Sequence, residues 1–174
     1  CTDLFFIAGM RGNAFSDERI AAFKRVLDRH GIPFDEETML DYGDFWSGPT
    51  EEAVERLLNR EKELPQAIIC ANDSMAITVM SVLGNHSVEV PEDVIVTGFD
   101  SILQKRIYST TRLTTSAVNY EELAQAVSDT AYGYINNKEM PSEIKVGLSF
   151  VHGQSCGCSS FDEEYTDDMI DQMN

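Results

Sequence analysis

What this chain lacks narrows the field first. Among its 174 residues there is no run of about 18 consecutive apolar side chains, so nothing in it reads as a membrane span. Basic residues are scarce, 13 against 30 acidic, for a formal charge of −17. A surface this negative repels phosphate backbones, which argues against direct nucleic-acid contact by this chain. Histidine occurs only three times, as His30, His86 and His152. No G-x-x-x-x-G-K-[ST] loop and no G-x-G-x-x-G fingerprint is present. The expectation is that the chain is not an enzyme and calls for no cofactor.

Cysteine is also sparse: Cys1, Cys70, Cys156 and Cys158. Cys70 falls in an apolar run and reads as a small buried hydrophobe. Cys156-Gly157-Cys158 is C-x-C rather than the C-x-x-C of zinc or redox motifs, with only His152 nearby, so no metal site is expected. Free thiols suit a reduced cytosol, and a cytoplasmic location is expected. The opening CTDLFFIAGM is too short and wrongly flanked for a secretion signal. Without an initiator Met, the chain reads as a piece of a longer protein.

What is there alternates between two periods. Leu4–Ala8 is a buried-strand run ending at Gly9. Ser16 offers a cap to a helix with Ile20, Phe23, Val26 and Leu27 inward, stopped by Gly31 and Pro33. Residues 38–42 read as a second strand. Thr50 offers a cap to a helix carrying Ala53, Val54, Leu57 and Leu58. Ala67–Cys70 is a third strand, followed by a helix with Met75, Ala76, Val79, Met80 and Leu83 on one face. Residues 94–97 form a fourth strand ending in Gly98-Phe99-Asp100. This β-α alternation, with strands apolar on both faces, predicts an α/β fold with a doubly wound parallel sheet. Beyond it, Leu113-Thr114-Thr115 is a short extended piece, and Asn119 with Glu122 resembles a capping box for a helix to about Asn137. Residues 144–150 alternate like a strand. The acidic stretch at 162–168 reads as a linker.

In an open α/β sheet, ligands sit beyond the carboxyl ends of the strands. Those ends carry the loop 9–15 with Arg19 after it, then Asp44, Phe45 and Trp46, then Asn72 and Asp73, then Asp100. Arginine, amide, carboxylates and aromatic rings on one rim form a recognition set for a small polyol-like ligand. Bland roles stand beside this one. Asp73 suits a helix N-cap; Asn72 could tie two loops together; Arg19 could pair with Asp17 or Glu18; Asp100 could cap a turn; Phe45 and Trp46 could be partial core.

Four motifs, SDERI at 16–20, AIICANDSMA at 67–76, VPEDVIVTGFD at 90–100 and LTT at 113–115, resemble in order those of the lactose-repressor (LacI) family. The resemblance covers residue 4 to about 158 and implies one half, the second lobe, of a periplasmic-binding-protein-like type I sensor. It implies that Arg19, Asn72 and Asp100 contact the effector, that Phe45 lines the pocket and that Phe15 lies near a loop reaching the ligand. Val118 stands where the family often has Gln, which implies a less polar ligand. The implied division is residues 1–118 as the C-terminal lobe, 119–150 as a helix and strand of the N-terminal lobe, and 151–174 as return segment and acidic linker. The implied partners are a carbohydrate-like or nucleoside-like effector and a second copy in a homodimer. The function expected is the sensor lobe of a bacterial LacI-type transcriptional regulator. The SCGC ending at 155–158 with its acidic extension also resembles sensors fused to a diguanylate cyclase or kinase. A periplasmic solute receptor is a third reading. If the other lobe is absent, residues 119–150 are expected either to self-associate or to repack on the chain's own sheet.

Overall fold

The computed structural model describes residues 1–60, 63–101 and 112–158. The acidic stretch expected to be a linker lies outside them. Four strands, β1 (Leu4–Ala8), β2 (Leu40–Tyr42), β3 (Ala67–Cys70) and β4 (Ile95–Thr97), form one sheet in the order β2-β1-β3-β4. Every pairing in it is parallel, with Phe6 opposite Leu40, Phe5 opposite Ile68 and Ile68 opposite Val96. The parallel sheet expected from the alternation is therefore present. The reason lies in the strands: Phe5, Ile7, Ile68 and Val96 are nearly or fully buried, so both faces of the sheet need helical cover. That cover comes from α1 (Ala14–Arg29), α3 (Ser47–Leu58) and α4 (Asp73–Asn85), which join the same core through Leu27, Val54, Val79 and Leu83.

After β4 the chain runs through Thr114, which bridges Thr97 in parallel and extends the sheet by one position. It then forms β5 (Thr115–Val118), which pairs antiparallel with β6 (Leu148–Val151) in a separate two-stranded sheet, with α5 (Tyr120–Ile135) between them in sequence. Residues 152–155 return to the first sheet. Ser155 Oγ donates to the Val96 carbonyl at 2.6 Å and accepts from the Thr114 amide at 2.8 Å.

Several local expectations are corrected. Asn13, not Ser16, caps α1: its Oδ1 accepts the Phe15 amide at 2.9 Å, and Ser16 is buried in the first turn. Val26 is 48% exposed rather than inward. Thr38 and Met39 belong to a short helical turn, α2 (Glu36–Met39), capped by Asp35, so the second strand starts only at Leu40. The helix expected to start at Thr50 begins at Ser47; Thr50 is buried inside it and donates to the Trp46 carbonyl at 2.7 Å. Asn72, not Asp73, caps α4. Asn119 does cap α5, but the strand expected at 144–150 is confined to Leu148–Val151. Residues 119–150 do not repack on the first sheet: of α5 only Gly133 is buried, and β6 is largely exposed.

Candidate functional site

The chain leaves β1 for β2 on one side and returns to β3 on the other side of β1, so the sheet's switch point lies between β1 and β3. Loops diverge there at the carboxyl ends, leaving the crevice in which open α/β sheets take ligands. Four of the residues expected to form a site meet at this edge.

Arg19 projects from the second turn of α1. Its Nη2 lies 4.0 Å from Asp100 Oδ1, its guanidinium stands over the Phe99 ring at 4.7 Å from the centroid, and its Nη1 donates to the Phe15 carbonyl at 3.1 Å. The alternative pairing with Asp17 or Glu18 is not the one seen. Two buried polar atoms here, Arg19 Nε and Ser16 Oγ, have no hydrogen-bond partner. Unmet buried donors are costly, which is why native folds rarely keep them except at functional sites.

Asp100 follows β4 in a left-handed conformation, φ 96°, and Ser101 continues it at φ 56°. The loop after β2 does the same, with Asp44 at φ 52° and Phe45 at φ 65°. Non-glycine residues held in this region store local strain and concentrate at ligand sites. The Asp100 amide donates to the Ser116 carbonyl at 2.9 Å, tying the loop to β5. Burial pushes the Asp100 carboxyl above its ordinary value, and the Arg19 charge only partly offsets this.

Phe45 lies flat against the Gly9 backbone, where any Cβ would force its ring to move. Asn72 serves two partners: its Oδ1 accepts the Met75 amide at 2.8 Å and its Nδ2 donates to the Phe45 carbonyl at 3.4 Å. It therefore ties two loops and caps α4 while standing at the rim. Asp73 is buried, accepts from Thr115 Oγ1, and its amide donates to the Phe99 carbonyl at 2.9 Å. It is part of the frame under the rim. Phe15 contributes its carbonyl to Arg19, while its ring is 65% exposed; Trp46 is likewise exposed.

Sequence reasoning missed Ser16 as a rim group, Phe99 as the ring under Arg19, and Arg11, whose guanidinium lies over Tyr42 at 4.0 Å from the ring centroid. The signal for Phe99 is its place in GFD, whereas Ser16 reads in the sequence as a helix cap. No histidine joins the rim. His86 pairs with Glu55 at 2.9 Å, and His30 ends α1. An open groove of about 560 Å3 between α5 and Ile144, lined by Glu121, Glu122 and Asp129, is formed by other elements and has no basic side chain in its lining. The rim offers a cation, a carboxylate and an amide at the carboxyl edge of the sheet, groups that hydrogen-bond polar ligands.

The profile of the family described as periplasmic binding protein-like domain matches residues 1–156. The repressor PurR of Glaesserella parasuis is 32% identical over 142 residues, covering 81% of this chain and 41% of the relative. The regulator AscG of Escherichia coli is 37% identical over 100 residues, covering 58% of this chain and 29% of the relative. A solved sugar-binding transcriptional regulator of the LacI family from Escherichia coli, complexed with phosphate, superposes with a TM-score of 0.78 at 27% identity, covering 88% of this chain and 54% of that one. The chain thus spans about half the length of such relatives, or less. It belongs to the periplasmic binding protein-like family, with LacI-family regulators among its relatives.

Proposed function

We propose that the rim around Arg19 and Asp100 binds a small polyhydroxylated effector, of carbohydrate or nucleoside type, and that the chain is the sensing lobe of a bacterial LacI-type transcription regulator that works as a dimer in the cytoplasm. The observation that carries this is the Arg19–Asp100 pair, 4.0 Å apart, with Asp100 held left-handed and a buried, unpartnered Nε behind it. The carboxylate accepts from ligand hydroxyls, the guanidinium donates to ligand oxygens, and the Phe45 ring takes the apolar face of a sugar or base. Asn72 holds the Phe45 loop and presents its remaining amide hydrogen. Because the Asp100 amide is bonded to Ser116, an effector that shifts this loop also shifts β5, the strand leading out of the first sheet. An effector can bias a regulator only through such differential contact.

Calorimetric titration of the intact protein with a panel of sugars and nucleosides tests the reading. Arg19→Ala and Asp100→Ala should each weaken binding by about 2–5 kcal/mol, the scale for truncating one partner of a buried charged hydrogen bond. Circular dichroism should remain unchanged. Undiminished affinity in both variants would refute the assignment.

A further inference from the structure

The C-x-C pair and His152, four residues apart or more in sequence, come together in the fold. His152 nitrogen, Cys156 Sγ and Cys158 Sγ all lie within 4.8 Å of one another. We propose that these three side chains form a binding site for a thiophilic d10 cation, Zn2+ in particular, on the segment that returns to the sheet.

The donor set is one imidazole and two thiols, the soft combination that selects zinc-like metals over magnesium or calcium. Bond lengths of about 2.3 Å to sulfur and 2.0–2.1 Å to nitrogen set tetrahedral donor separations of up to about 3.8 Å. Donors no more than 4.8 Å apart stand within about 1 Å of that spacing. Coordination displaces one proton from each thiol to solvent and leaves the neutral imidazole as third ligand. His152 and Cys158 are exposed and Cys156 is half-buried, so the fourth position faces water.

The backbone between the ligands is already fixed, the condition that makes a site rather than a coincidence of surface groups. The Gly153 amide donates to Thr114 Oγ1 at 3.0 Å, the Gln154 and Ser155 amides donate to the Arg112 carbonyl at 2.6 and 3.0 Å, and Ser155 Oγ is locked between Val96 and Thr114. A turn from Gln154 to Gly157 closes with a 3.0 Å hydrogen bond. Gly157 sits at φ 70°, a left-handed position that suits glycine, and this turn brings the two thiols to one side. The His152 ring stands edge-on to Phe150, with centroids 4.7 Å apart, which limits its orientation. Bound metal would staple residues 152–158 at the point where the chain passes between its two sheets.

The test uses the full chain, reduced and under argon, in a Cys1→Ser background, because Cys1 is another exposed thiol. Titration with Co2+ should produce the visible bands of a tetrahedral cobalt–thiolate centre, saturating at one ion per chain and bleached by Zn2+. His152→Ala and Cys158→Ser should each weaken binding by at least about tenfold, the lower end of what losing even an outer-shell partner costs. The double change Cys156→Ser with Cys158→Ser should abolish it. As a second readout, Zn2+ should raise the thermal midpoint of the parent chain and leave the double variant unmoved. Three results would overturn the proposal: no tetrahedral spectrum, an equal spectrum in the double variant, or a Cys156–Cys158 disulfide forming with no uptake of metal by the reduced thiols.

Discussion

At the scale of single residues, Asp100 carries opposing demands. Its carboxyl is raised by burial and only partly relieved by Arg19. In the window just above the ordinary aspartate range, the folded chain therefore holds more protons at this site than the unfolded chain does. By linkage, the contribution of Asp100 to stability falls as pH rises through that window. Asp100→Asn removes this slope. Its loss of the ion pair costs little, because partly exposed pairs at 4.0 Å contribute at most about 1 kcal/mol. The expected outcome is a variant whose urea midpoint no longer declines across that window, yet whose effector affinity drops. Gain of stability with loss of affinity is the signature of a group kept for binding. Urea unfolding at a series of pH values, paired with calorimetry, measures both; a variant that loses stability at neutral pH would show that Asp100 is there for the fold.

Among the elements, the return segment acts as a strap. Ser155 is fully buried, and its hydroxyl answers both the Val96 carbonyl and the Thr114 amide. Ser155→Ala leaves those two groups short of a partner, and the expected loss is about 1–3 kcal/mol in urea unfolding, with the fold retained. A change within about 0.5 kcal/mol, the range of an ordinary surface substitution, would show that the strap bears no load. This strap was not legible in the sequence, because it depends on hydrogen bonds between residues some 40 to 60 positions apart. By contrast β1 and β3 lie where the apolar runs put them, Leu4–Ala8 and Ala67–Cys70, since strands buried on both faces are bounded by the first polar residue or glycine. Helix starts were less legible. Asn13 and Ser16 are both competent caps, Asn72 and Asp73 likewise, and only the backbone decides which oxygen reaches an orphan amide. The four-residue α2 is too short to show any period. Arg19, Phe45, Asn72 and Asp100 could be read as a rim because each follows a strand end; Ser16 could not, because its unpartnered hydroxyl exists only in three dimensions. His152, Cys156 and Cys158 are visible in the sequence, but C-x-C spacing argues against a metal site there; their approach to within 4.8 Å accompanies the Gly157 turn and is not set by spacing.

On the scale of the whole molecule, apolar surface is divided unevenly. The first sheet and its helices hold a continuous core, with Phe5, Ile7, Ile68, Val79 and Leu83 almost entirely removed from water. The second sheet and α5 have no such interior: Leu123, Val127, Tyr134, Ile135, Leu148 and Phe150 are all exposed, Val127 at 60% and Ile135 at 79%. Burying such surface stabilises by roughly 25 cal/mol per Å2, and contiguous patches of it tend to find another chain. The net charge of −17 opposes association at low salt, but screening within about 8–10 Å near physiological ionic strength weakens that opposition. The expected outcome is that the 174-residue chain self-associates through α5 and β6, more strongly as salt is raised. Val127→Glu places a charge in the middle of the patch without touching the core, and should shift the chain toward monomer while leaving its circular dichroism unchanged. Multi-angle light scattering across a concentration and salt series measures the mass directly. If the parent chain is monomeric at every concentration and salt, apolar contact through this face is too weak to hold two copies, and the α5 surface needs a different partner. If both proteins associate equally, the contact lies elsewhere.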